Sequence, residues 1–159
     1  MSTKRIDASF LLNLAREIEL VAPLACELDG RPASEGIWVC LGSPGLGPTN
    51  VCRAGCPCGT DDEKYVEFLR LGTSWLLGQP PNMLALGSDG DPAHCGGGIR
   101  TLSDDVIFVA GPTTGELAVA IASLIASRLR HIDQVRWCAI REAGDGNRYM
   151  RGFGELGLP

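Results

Sequence analysis

The stretch that decides the fold is Ile99-Arg-Thr-Leu102, followed by Ser103-Asp104 and then Val106-Ile-Phe-Val-Ala110. The first piece reads as a short strand, Ser103-Asp104 as a turn, and the second piece, apolar at every position, as a buried strand. Adjacent strands joined by so short a turn imply an antiparallel sheet, because parallel neighbours need a long crossover. Directly after it, Pro112 and Thr113 open a helix expected from about 114 to 130. Leu117, Val119, Ala120, Ile121, Leu124, Ile125 and Leu129 leave much of its circumference apolar, so it is expected to pack against that sheet.

Working outward, Ile6, Phe10, Leu11, Leu14, Ile18 and Val21 recur at three- and four-residue spacing and predict a first helix over 6–22. Leu24–Leu28 and Ile37–Leu41 read as a strand pair around an Asp29-Gly30 turn. Residues 42–60, rich in Gly and Pro, read as a long loop, and long loops in compact domains are usually functional or disordered. A second helix is expected from Thr60 or Asp61 to Leu77, with Tyr65, Phe68, Leu69, Trp75 and Leu76 inward and Gly78, Pro80 and Pro81 stopping it. A short apolar piece, Met83–Leu86, leads into a Gly-rich loop over 87–98. Val135–Arg141 and Arg148–Phe153 read as a C-terminal hairpin within 134–154, turning at Gly144-Asp-Gly-Asn147. The expected fold is α/β of the α+β kind, an antiparallel sheet with helices on one or both faces, forming one domain over 1–159. Trp38, Trp75 and Trp137 are expected in the core.

The bulk composition excludes several function classes. The 159 residues carry a formal net charge of −5. Phosphate recognition needs a stripe of Lys and Arg, and none exists, so nucleic acid is not an expected partner. The densest basic stretch, Arg128, Arg130 and His131, reads as a helix C-terminus where cations offset the exposed carbonyls. No apolar run reaches the roughly 18 residues of a membrane span, and the polar start Met1-Ser-Thr-Lys-Arg lacks a secretory pattern. The expected location is the cytoplasm. Gly42-Ser-Pro-Gly-Leu-Gly-Pro48 lacks the Gly-Lys-Ser/Thr ending of a phosphate-binding loop. Gly111-Pro-Thr-Thr-Gly-Glu116 reads as a helix cap that could also hold an anion.

The distinctive chemistry is thiol. There are 7 cysteines, an odd number, so they cannot all pair. In a reducing compartment, clustered thiols point to metal or redox chemistry. Val51-Cys52-Arg-Ala-Gly-Cys56-Pro-Cys58-Gly59 places Cys52, Cys56 and Cys58 on one short stretch. Soft thiolates suit zinc or iron, and Gly55 and Gly59 would let the backbone turn the sulfurs inward. A fourth ligand would come from Cys95, His94 or Cys40, with His94-Cys95 on the other Gly-rich loop and both loops at one end of the sheet. His94 or a thiolate could also bind haem iron axially. Arg53 beside Cys52 would favour a thiolate, while Asp61, Asp62 and Glu63 would oppose it. Cys26, Cys40 and Cys138 read as small buried apolar residues on strands.

The run Ser74-Trp-Leu-Leu-Gly-Gln-Pro-Pro81, then Gly96-Gly-Gly-Ile-Arg100, then Val106-Ile-Phe-Val-Ala-Gly-Pro-Thr-Thr-Gly-Glu116, resembles the GlcG/HbpS-type haem-binding-like domain family over about residues 66–130. The resemblance implies a profilin-like layered fold and a haem-like ligand; Gly96, Gly97 and Gly98, cofactor-binding candidates together with His94, carry over from it as structure rather than chemistry. The cysteine-rich loop and the C-terminal hairpin have no counterpart in that pattern, and Glu116 alone stands where the family carries Asp-Glu. The first functional expectation is therefore a cofactor- or metal-binding module holding zinc, an iron–sulfur centre or haem. The alternatives are a small cysteine-based redox enzyme, a metal-dependent hydrolase, or a structural interaction domain with incidental cysteines. The partner expected is a metal or small-molecule ligand, and the apolar last helix leaves room for a homo-oligomer.

Overall fold

The strand over 106–110 lies at the centre of a five-stranded sheet. The computed structural model describes residues 8–28, 37–54, 62–88, 96–110, 115–143 and 147–155. Within them the order is α1 (Ala8–Leu28), β1 (Ile37–Ser43), β2 (Gly47–Ala54), α2 (Asp62–Leu77), β3 (Ala85–Ser88), β4 (Gly96–Arg100), β5 (Val106–Ala110), α3 (Gly115–Arg128), α4 (Gln134–Ala143) and α5 (Arg148–Glu155). The strands stand in the order β2-β1-β5-β4-β3, and every pairing is antiparallel. The fold is α+β.

Side-chain alternation divides the central strands between two cores. Ile37, Val39 and Leu41 of β1 and Ile107 and Val109 of β5 pack with α1, α3, α4 and α5. Trp38 and Cys40, with Val106, Phe108 and Ala110, face Leu69 and Leu76 of α2. The sheet is thus covered on both faces, which is why β5 carries no polar residue. Gly115 and every residue from Leu117 to Ala126 is buried in α3, as suits a helix enclosed between a sheet and other helices. Its one buried hydroxyl, Ser123 Oγ, donates to Val119 O at 2.8 Å.

The glycines of β4 are explained by close packing. A Cβ at Gly98 would lie 2.5 Å from the Phe108 ring, and a Cβ at Gly72 of α2 would also lie 2.5 Å from it. Phe108 therefore occupies the room left by two absent side chains, one in the sheet and one in the helix above it. On the opposite face, a Cβ at Gly97 would meet Gly115 O and Val119 Cγ2 at 2.8 Å, so the first turn of α3 rests directly on the strand.

Several expectations are corrected. The first helix continues to Leu28 with Pro23 inside it, and the expected strand over 24–28 is its last part. A short apolar run fits either period. The stretch 42–60 is not all loop, because β2 spans Gly47–Ala54 and pairs with β1 from Ile37↔Ala54 to Ser43↔Gly47. The reversal is made by Gly45 and Gly47, at φ 84° and 72°, with Leu46 N donating to Ser43 O at 3.1 Å. These left-handed conformations suit glycine.

The C-terminal hairpin is instead the helix pair α4 and α5. Asp133 Oδ1 accepts from Arg136 N at 2.8 Å, and Asn147 Oδ1 accepts from Tyr149 N and Met150 N at 3.1 Å each. Both are N-caps, so Asn147 begins a helix rather than closing a strand turn. Trp38 and Trp137 lie in the core, whereas Trp75 is 47% exposed. No helix among the described residues is long and apolar enough to cross a membrane.

Candidate functional site at one end of the sheet

Strand register gives the molecule two unlike ends. Ala54 pairs with Ile37, Trp38 with Ala110, Gly96 with Ala110, and Ser88 with Gly96. The end of β2, the start of β1, the end of β5, the start of β4 and the end of β3 therefore share one edge of the fold. Segments 29–36, 55–61, 89–95 and 111–114 all attach there. At the other end the connections are tight. The β1–β2 turn over 44–46 lies there, as does the turn over 101–105, closed by Thr101 N donating to Asp105 O at 2.9 Å and Asp104 N donating to Thr101 O at 3.1 Å.

Arg100 secures that closed end, a role the sequence reading missed. It is 3% exposed. Its Nε donates to Met83 O at 3.1 Å, and its Nη2 donates to Gln79 O at 2.8 Å and to Leu76 O. The last turn of a helix leaves carbonyls unsatisfied and carries partial negative charge, and a guanidinium answers both. Arg136 Nη1 in turn donates to Arg100 O and Thr101 O at 3.3 Å, tying α4 to the same end.

Of the residues expected to form the site, Cys56, Cys58, His94 and Cys95 lie outside the described residues. Cys52 is described, and it is not on a loop. It sits in β2 opposite Val39, half-buried against the core shared by α1 and α3. Burial pushes its thiol up. Activation by Arg53 is not realised. Arg53 is the register partner of Trp38, and its guanidinium lies 5.5 Å from the Trp38 ring centroid, on the α2 face of the sheet, away from the Cys52 thiol. Gly96, Gly97 and Gly98 form β4 and are buried. The room a Cβ would take at each is filled by the chain itself: Phe68 and Val109 at Gly96, Gly115 and Val119 at Gly97, and Phe108 at Gly98.

The other cysteines are separated. Cys40 is buried under α2, and burial pushes its thiol up, against a Thr73 hydrogen bond and the Arg70 charge that lower it. Cys40 and Cys52 project from opposite faces of the β1–β2 pair, so Cys40 does not join Cys52 as a ligand. Cys138 lies in α4, not on a strand, and accepts from Gln134 Nε2 at 3.7 Å. Cys26 falls within α1 rather than a strand. Among the described residues, Cys40, Cys52 and Cys138 are free thiols, and no group of three or more His, Cys, Asp or Glu side chains is placed to hold a metal.

Two further candidates resolve into structural roles. The His131 ring is buried edge-on against Phe10, with centroids 4.3 Å apart. At the end of α3 the main chain also contributes, His131 N donating to Ala126 O at 2.8 Å. Glu116 Oε1 accepts from Arg148 N at 3.1 Å, and its Oε2 lies 3.7 Å from Arg148 Nε. The acidic group at the start of α3 thus serves to seat α5.

No protein-family model matches the chain, and no curated protein or solved structure does so either.

Proposed function

We propose that this chain is a metal- or cofactor-binding module whose ligands come from the two segments flanking opposite sides of the sheet, 55–61 and 89–95. The observation that carries the reading is the register that puts Ala54 and Gly96 at the same end. Cys58 is four residues beyond Ala54, and Cys95 immediately precedes Gly96. At about 3.5 Å per extended residue, these stretches reach about 14 Å and 3.5 Å. The strands that launch them stand three spacings apart, about 14 Å. Chain length alone thus allows Cys58 and Cys95 to meet at one centre, and Cys56 and His94 are the donors we assign beside them.

That donor set suits a tetrahedral zinc ion or thiolate-held iron, and a His or Cys also suits an axial position on haem, in keeping with the GlcG/HbpS-type resemblance. Bound zinc would supply cross-linking of two chain segments; bound iron would supply electron transfer or sensing. Gly96–Gly98 contribute the closely packed strand that delivers His94 and Cys95. Cys52, which sits within β2 and packs against the core on the α1 and α3 face, stands outside this set. The cytoplasm, where thiols stay reduced, is the compartment in which such a site would operate.

The test is elemental analysis with an ultraviolet–visible spectrum on protein purified anaerobically, then repeated after reconstitution with Zn²⁺ and with Fe²⁺ and sulfide. Bound metal is expected, lost in Cys56→Ser/Cys58→Ser and in Cys95→Ser, and retained in Cys52→Ser. Protein that stays metal-free and colourless after reconstitution, or metal unaffected by all of these changes, overturns the reading.

A further inference from the structure

No further inference is drawn: the strongest candidate, the exposed apolar face of α2 formed by Leu71 and Trp75, carries nothing because nothing in the structure shows what covers it.

Discussion

Arg100 Nη2 donates to the carbonyl oxygen of Gln79 at 2.8 Å, placing a buried cation beneath the last turn of α2. The same guanidinium binds carbonyls on both sides of the turn between α2 and β3, so β4, α2 and the approach to β3 are joined through one side chain. Arg100→Met is expected to cost about 3 kcal/mol, since it strands several buried acceptors at once. Arg100→Lys should recover only part of this, because an ammonium lacks the planar fork. Urea unfolding midpoints measure both, and an unchanged midpoint in Arg100→Met would refute the role.

Phe108 fills the room left by Gly98 and Gly72. Gly98→Ala is expected to destabilise by roughly 1–3 kcal/mol through overpacking. Phe108→Leu in the same chain should lessen that cost. A double-mutant cycle reads the coupling, and strict additivity would show that the ring and the glycine are not matched.

Asn147 accepts from two amides at the start of α5 and donates from Nδ2 to Glu116 O at 2.8 Å. Asn147→Ala is expected to lower stability by about 1–2 kcal/mol through loss of the cap. Asn147→Asp keeps the accepting oxygen and should lose less. Thermal melts followed by circular dichroism distinguish the two, and equal losses would assign the effect to the Glu116 contact.

The Cys52 thiol is raised by burial, which leaves little thiolate at neutral pH. Its alkylation by iodoacetamide, followed by peptide mass mapping, should lag behind a free cysteine at pH 7 and climb only at a pH above the ordinary thiol range. Folding favours the protonated form. The stability this contributes is complete below the unfolded-state thiol pKa and is lost as pH rises through the folded one. Rapid modification of Cys52 at pH 7 would contradict this placement.

What the sequence disclosed and what it withheld follow a physical division. Val106–Ala110 and the apolar circumference of α3 announce themselves because complete burial needs no phase, only hydrophobicity. α2 is legible through Leu69 and Leu76 and its Gly-Pro stop. The edge strand β2 is not, since Pro48, Thr49 and Asn50 look like loop residues, and Val51 and Cys52, which pack against the two cores from opposite faces, are only half-buried. Val135 and Trp137 imitate strand alternation, and the Asp133 and Asn147 caps that decide for helices are also ordinary turn residues. That the end of β2 and the start of β4 share one end follows only from the strand register. The facing of Cys52 likewise depends on the β1–β2 register and on the irregularity between Leu41 and Gly42. Arg100 stands at the end of the Gly96-Gly-Gly-Ile-Arg run, but its task exists only once α2 ends above it.

The contrast between the two ends of the sheet bears on how such a chain diversifies. Tight turns and the Arg100 clamp hold the strands together at one pole, so exchanging residues between Ser88 and Gly96, or between Ala54 and Asp62, is expected to leave the ladders on either side in alignment. New binding chemistry can thus be acquired by trading connectors, with the interior left as a fixed inheritance.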